Sequence, residues 1–192
     1  MQAARSDSAV GDDTRTDARR DGLYREAIDV HGAALERLAR AYEADGERRR
    51  DLVQDIHLEV WRSFGGFDGR CSMRTWVYRV AHNVGASHVA KDKRRIRTWV
   101  GLEDLAEAPD SDNPEETAGE RHALARLTAL IAGLKPIDRQ VMLLYLEDLD
   151  AAAIDEISGL SPGAVAVKIH RIKGVLARRF APPASGSASH GE

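Results

Sequence analysis

The sequence predicts an all-α protein made of two small helical bundles joined by a flexible acidic linker, with a helix-turn-helix in the second bundle. Apolar residues recur at three- and four-residue spacing in several segments, and no segment shows the two-residue alternation of a strand. The segment from Glu103 to Glu120 carries eight acidic residues and no Lys or Arg. Residues 154–180 read as a short helix, a glycine and a longer basic helix, which is the order of a helix-turn-helix.

Composition limits the classes of protein that this chain can form. Its 192 residues are 43% hydrophobic and 5% aromatic, which suits one medium domain or two small ones with cores of Leu, Val, Ile and Ala. The net charge of -3 conceals basic clusters at 91–97 and 168–179. The single cysteine, Cys71, excludes an intrachain disulfide. We find no zinc-ligand spacing, nucleophile motif or phosphate loop, and expect no metal, no cofactor and no catalytic residue.

Targeting signals are also missing from the sequence. The N-terminal segment is polar and lacks the apolar run of a signal peptide. No stretch approaches the roughly 20 apolar residues that a membrane helix requires. We therefore expect a cytoplasmic protein with no membrane contact of its own.

The first bundle is predicted at 21–97, after a disordered extension at 1–20 that is charged and lacks an apolar period. Three helices follow, separated by a break at Asp45 and Gly46 and by a glycine-rich loop at 65–70, and Ser72 caps the third helix. Their inward residues recur at helical spacing: Tyr24, Ile28, His31, Leu35, Leu38 and Tyr42, then Leu52, Ile56, Val60 and Phe64, then Met73, Trp76, Val77, Val80 and Val84.

The flexible acidic linker is predicted at 98–119 and the second bundle at 120–180. Pro136 and Asp150 begin helices of this bundle, and Gly159 followed by Ser161 separates the two helices of the helix-turn-helix. The last helix carries one apolar stripe: Val165, Ile169, Ile172, Leu176 and Phe180. The tail at 181–192 has low complexity and is predicted to be disordered.

Each bundle contains a recognisable motif: DLVQDIHLEVWRSFGGFDGRCSMRTWVYRVAHN at 51–83 and LKPIDRQVMLLYLEDLDAAAIDEISGLSPGAVAVKIHRIK at 134–173. Together they resemble the bacterial RNA polymerase sigma factors of the extracytoplasmic-function group. The resemblance implies a subunit without enzymatic activity that directs promoter-specific transcription initiation, with a region 2-like domain at 21–97 and a region 4-like domain at 120–180. The implied partners are core RNA polymerase (its β′ clamp helices and β flap), promoter DNA and an anti-sigma factor.

The second predicted helix carries the residues that the resemblance assigns to polymerase binding. They are Asp51, Leu52, Gln54 and Asp55, which match the family segment that docks on the β′ clamp helices. Carboxylates and an amide suit helices that carry arginine. The alternative is an ordinary solvated helix face.

The loop and third helix of the first bundle match the family's reader of the minus-ten element. The matching residues are Phe67, Asp68, Gly69, Arg70, Ser72, Trp76, Arg79 and Asn83. The loop would hold a base flipped out of the duplex, with Phe67 or Arg70 stacking on it; alternatively, the Phe67 ring fills the core beneath the loop. Trp76 is expected to be mostly core, whereas Arg79 and Asn83 share a polar face that suits phosphates and a base edge.

The helix-turn-helix matches the family's reader of the minus-thirty-five element. The residues that would face DNA are Ser161, Ala164, Val167, Lys168 and Arg171. Ser161 and the amides of the helix start suit a phosphate, Lys168 and Arg171 suit guanine edges or phosphates, and Val167 suits a thymine methyl group.

The helix-turn-helix also departs from the family pattern. Members usually carry Thr, Lys and Ser at the positions of Ala164, Ala166 and Val167, and Ser-Tyr-Glu-Glu at 150–153. Because polar readers are lost, we expect an unusual or more weakly bound element. The basic run at 91–97 contacts the promoter backbone or forms a solvated helix end, and both interpretations stay open.

A second hypothesis from another class is a stand-alone helix-turn-helix regulator with an N-terminal dimerisation bundle. It predicts tight binding of a palindromic site by the isolated protein. The sigma-factor hypothesis predicts feeble promoter binding until core polymerase is added.

Overall fold

The computed structural model describes residues 6–91 and 120–180, which fold into seven α-helices and a short 3-10 turn. The predicted linker at 98–119, the predicted tail at 181–192 and most of the basic run at 91–97 lie outside these residues. Within the described ranges, no helix has both the length and the apolar character needed to span a bilayer. The helical prediction is confirmed.

The first bundle contains α1 (Ser6–Tyr42), α2 (Gly46–Ser63), the 3-10 turn (Phe64–Gly66) and α3 (Met73–Lys91). The predicted break precedes α2, where Asp45 accepts hydrogen bonds from the backbone N–H groups of Glu47 and Arg48 at 3.0 and 2.9 Å. Ser72 caps α3 as predicted, because its Oγ accepts from the N–H of Thr75 at 3.0 Å. The buried residues of the three helices form one core: Leu35, Leu38, Leu52, Ile56, Val60, Phe64, Val77 and Tyr78.

The start of α1 corrects one prediction. Disorder was expected over 1–20, but residues 6–20 are helical. The Arg20 guanidinium lies 4.6 Å from the centre of the Trp61 ring, and Trp61 Nε1 donates to Asp21 at 2.8 Å. These contacts with α2 stabilise a helical turn that composition alone disfavours.

The second bundle contains α4 (Glu120–Gly133), α5 (Pro136–Leu146), α6 (Ala151–Ser158) and α7 (Pro162–Phe180). Asp150 caps α6 by accepting from the N–H of Ala153 at 2.8 Å, and Gly159 ends it in the left-handed region at φ 73°. A local core joins α4, α5 and α7: Ile131, Leu134, Met142, Ile172 and Val175.

The two bundles pack against each other. A single hydrophobic cluster includes Leu35 and Tyr78 of the first bundle and Leu144, Leu149 and Ile154 of the second. Helix α3 contacts α5 and α6, and α1 contacts α4. The sequence pattern predicts each bundle separately and did not predict this interface.

Candidate nucleic-acid interface

The residues of α2 that are predicted to bind polymerase lie on two different faces of the helix. Leu52 is fully buried, and Asp51, Gln54 and Asp55 are exposed on the surface of the bundle. Leu52 therefore fixes the helix in the core, and the two carboxylates and the amide form the part of this set that a partner can reach.

The loop between the 3-10 turn and α3 places its predicted residues in two environments. The Phe67 ring packs between Phe64 and Trp76, with ring centres 5.8 and 5.4 Å away. Arg70 is exposed, and its Nε donates to Asp68 Oδ2 at 2.5 Å. The backbone N–H of Arg70 and then its side chain lower the pKa of Asp68 by hydrogen bonding. The ring thus supports the loop from beneath, and Arg70 with Asp68 forms its outer surface.

A positive φ of 77° at Gly69 allows this loop to reverse direction between its outer surface and α3. Beyond it, Trp76 Nε1 donates to Ser63 Oγ at 2.9 Å, which ties α3 to the end of α2. Trp76 is half-buried and belongs to the border of the core. These contacts give Trp76 a structural role in the described state.

The polar residues of α3 differ in their contacts. Arg79 Nη2 donates to the backbone carbonyl of Glu156 in α6 at 2.8 Å. Asn83, one turn later, is exposed. The structure therefore brings the arginine expected at the minus-ten element against the second bundle.

The predicted DNA-facing residues of α7 lie along its outer side. Val167 is 58% exposed, and Ser161 and Arg171 are exposed. Ala164 is half-buried, and its N–H donates to Ser161 Oγ at 3.4 Å, which caps the helix. Lys168 is held back from this surface, since its Nζ donates to Asp138 Oδ1 in α5 at 2.6 Å.

Sequence reasoning missed Asp138 as the partner of Lys168, and it missed Arg37, Arg74 and Glu147 at the interface between the bundles. Arg37 donates from Nε and Nη2 to both carboxylate oxygens of Glu147, each at 2.7 Å. The two residues are separated by 110 positions in the chain. No local pattern pairs charges over such a separation.

Three histidines of the first bundle lie in surroundings that disfavour the charged imidazole. Burial lowers the pKa of His31 and of His57, and lowers that of His82 to about 3. Within the described residues, no group of three or more His, Cys, Asp or Glu side chains is arranged to hold a metal ion.

Comparison with known proteins supplies the family. Residues 27–95 match the family model described as Sigma-70 region 2, and residues 124–175 match Sigma-70, region 4. The chain is 30% identical to the ECF RNA polymerase sigma factor SigC of Mycobacterium tuberculosis, over 71% of this chain and 72% of SigC. It is also 30% identical to the RNA polymerase sigma factor CarQ of Myxococcus xanthus, over 83% of this chain and 87% of CarQ. The chain belongs to the extracytoplasmic-function group of the sigma-70 family.

The fold agrees with that of another member of this group of sigma factors. The structure of CnrH in complex with the cytosolic domain of CnrY superposes with a TM-score of 0.60, covering 86% of this chain and 92% of that chain at 20% identity. In sequence, CnrH of Cupriavidus metallidurans is 29% identical over 80% of this chain and 84% of its own length. The chain is thus a sigma factor that directs transcription initiation, and the relatives belong to a class of proteins that are not enzymes.

Proposed function

We propose that this sigma factor binds core RNA polymerase through α2 and reads two promoter elements, one with each bundle. The observation that carries the proposal is the division of α2 into two faces. Its core face is occupied by Leu52, whereas Asp51, Gln54 and Asp55 remain at the surface. Acidic and amide groups in this position suit the arginines of a basic partner helix, such as those of the β′ clamp.

The outer side of α7 suits the minus-thirty-five element. Its exposed first turn offers the Ser161 hydroxyl and the positive end of the helix dipole to a phosphate. Val167 and Arg171 then lie along the same helix for contact with base edges in the major groove. Arg70, Arg79 and the loop before α3 are the corresponding candidates for the minus-ten element.

Run-off transcription with purified core polymerase, on the region upstream of its own gene, tests the proposal. Asp51→Ala combined with Gln54→Ala is expected to weaken core binding roughly tenfold or more, because charged contacts to the polymerase are lost. Circular dichroism should show an intact fold. The control is Glu26→Ala with Asp29→Ala, which removes exposed acidic residues from α1.

Two results would count against parts of this proposal. Unchanged core affinity in the α2 double variant would move the docking surface elsewhere. A protein that neither co-elutes with core polymerase nor yields a promoter-dependent transcript, but binds a palindromic site tightly by itself, would support a stand-alone regulator instead.

Arg171→Ala tests the role of α7 in reading the upstream element. We expect a loss of about 1–3 kcal/mol in binding to the preferred element, with a smaller loss on elements substituted at one base pair. Binding is measured with the polymerase holoenzyme. An equal loss on every sequence would assign Arg171 to a phosphate.

We also propose that an anti-sigma factor inserts a helical segment between the two bundles. An apolar groove of about 630 Å³ lies there, lined by Leu38, Ala41, Leu124, Leu127, Leu143 and Leu146. Leu124 is 60% exposed and Leu146 is 45% exposed, so an apolar partner face would bury them. The solved structure of CnrH, which contains the cytosolic domain of CnrY, supports a partner of this kind.

Leu124→Glu should relieve inhibition of run-off transcription by a candidate anti-sigma protein, since the new charge would be buried on binding. Val30→Glu is the control, because Val30 is 71% exposed and lies outside the groove. Inhibition that persists equally in both variants would exclude the groove as the binding site.

A further inference from the structure

One residue in the turn between α5 and α6, Glu147, forms hydrogen bonds with side chains of the first bundle. Glu147 accepts from Arg37 through both carboxylate oxygens, at 2.7 Å each, and from the Tyr78 hydroxyl at 3.2 Å. Arg74 donates to the backbone carbonyl of the same residue. Glu147 thus binds three side chains from two helices of the first bundle.

The backbone of this turn is specialised for that position. The N–H groups of Glu147 and Asp148 donate back to Leu143 and Tyr145 at 3.1 and 3.0 Å. Asp148 has a φ of 56°, the one positive value at a non-glycine residue among those described. Such a conformation costs free energy and persists where surrounding contacts compensate for it.

The ion pair between Glu147 and Arg37 is bidentate and partly buried. The Glu147 side chain is 17% exposed and the Arg37 side chain 55% exposed, so solvent screens part of the attraction while the geometry of the two hydrogen bonds is retained. Burial and then the Glu147 carboxylate raise the pKa of Tyr78 to about 12, so the hydroxyl keeps its proton and donates at physiological pH. These bonds link the bundles directly, in addition to the apolar contacts.

The same arrangement places α6 against α3. Arg79 donates to the carbonyl of Glu156 at 2.8 Å, and α6 lies over this part of α3. DNA cannot approach the guanidinium from the side that α6 occupies. The chain is long enough for the two bundles to separate, because a fully extended segment of 28 residues, the length of 92–119, would span roughly 90–100 Å.

We propose that Glu147 is an intramolecular latch that holds the two bundles of the free sigma factor together, in a closed state in which Arg79 is kept against α6. Closing the latch keeps Arg79 against α6, and opening it releases α3 and the helix-turn-helix to separate sites. Ligands that bind only the open state, core polymerase and promoter DNA, would shift the equilibrium towards it. The assignment of Arg79 to the minus-ten element rests on the function proposed above, whereas the latch itself rests on the contacts of Glu147.

The latch is tested on the full chain with spin labels that report the distance between the bundles. Cysteines replace the exposed residues Ala33 of α1 and Ala177 of α7 in a Cys71→Ser background. We expect one dominant distance in the parent protein. Glu147→Ala should raise the ratio of open to closed molecules roughly tenfold, because the charged hydrogen bonds to Arg37 are lost.

A matched variant separates the latch from a general effect of charge. Glu156→Ala removes an exposed carboxylate from α6 and leaves the backbone carbonyl that Arg79 binds; it should leave the distance distribution unchanged. Arg37→Ala should open the protein, and adding Glu147→Ala to it should have a smaller effect than Glu147→Ala alone.

The outcomes distinguish the latch from the proposed function. Opened molecules should also bind a minus-ten DNA fragment more tightly without polymerase. Identical distance distributions for the parent and Glu147→Ala, or a parent that is already mainly open, would overturn the latch even if transcription requires the protein. Opening by Glu147→Ala without any promoter-dependent transcript would retain the latch and overturn the proposed function.

Discussion

Acidification from pH 7 to pH 5 should destabilise the first bundle through His82. This side chain is 1% exposed, and its Nδ1 lies 3.0 Å from the hydroxyl of Tyr42. Nε2 is buried without a hydrogen-bond partner among the described residues. The Arg139 guanidinium lies 5.3 Å from the centre of the same Tyr42 ring. A protonated imidazole would lose its hydration at this buried position, which disfavours the charged form.

The sign and size of the effect follow from the pKa. Burial lowers the pKa of His82 to about 3 in the folded protein, whereas in the unfolded chain it returns to 6.5. Below pH 6.5 the unfolded state binds more protons, so the free energy of unfolding decreases as the pH falls. The penalty is about 0.2 kcal/mol at pH 7 and about 2 kcal/mol at pH 5.

Urea unfolding followed by circular dichroism measures this penalty in the parent protein and in His82→Asn. Asparagine places an amide near Nδ1 and does not titrate. His31 and His57 also have pKa values lowered by burial and contribute in both proteins. Between pH 7 and pH 5 the parent should lose about 2 kcal/mol more than the variant. Equal losses would show that His82 accepts a proton in the folded state and would refute the reasoning.

Substitutions at three further positions test the packing and a helix cap by thermal unfolding. Gly85→Ala should destabilise by about 1–3 kcal/mol, because its Cβ would lie 2.8 Å from Cδ2 of the buried Tyr42 ring. In Gly22→Ala no atom lies within 4 Å of the new Cβ, so this variant should instead stabilise the protein by about 0.5–1 kcal/mol. Shifts of the unfolding temperature with the same sign in both variants would contradict the close approach of α1 and α3. Asp150→Ala should cost about 1 kcal/mol by removing the bond from Ala153 N–H, and Asp150→Asn should cost less.

Local chemistry allowed much of the fold to be predicted. Ser72 and Asp150 act as caps within three residues of their partners, the predicted break at Asp45 precedes α2, and Gly159 adopts the left-handed conformation that a turn requires. The apolar spacing identified the core face of α2, with Leu52, Ile56 and Val60 all fully buried. Such features depend on residues that are close to one another in the chain, so they can be predicted from the sequence alone. The apolar spacing was less accurate on α3, where Val77 is buried as predicted but Met73, Trp76, Val80 and Val84 are only partly buried. The other buried residues of α3 are Thr75, Tyr78, Ala81, His82, Gly85 and Val89.

The candidate site was predicted in part. Exposed polar residues such as Asp51 and Arg171 lie at the surface because the opposite helix faces form the cores. The inward packing of Phe67 was one of two alternatives that the sequence left open, and the contact between Lys168 and Asp138 was not foreseen. Side-chain partners of this kind depend on how helices lie next to one another.

By itself, the sequence determined the all-α class, most of the helices, several of their caps and turns, and the family motifs. Only the tertiary structure decided that α1 begins at Ser6, that the bundles share a hydrophobic cluster and that Glu147 binds Arg37. Periodicity specifies which face of a helix is apolar but not which element packs on it. The sequence around a charged residue likewise does not identify a partner that lies 110 residues away. Contacts between distant segments depend on how whole helices pack against one another, and this packing is visible only in the tertiary structure.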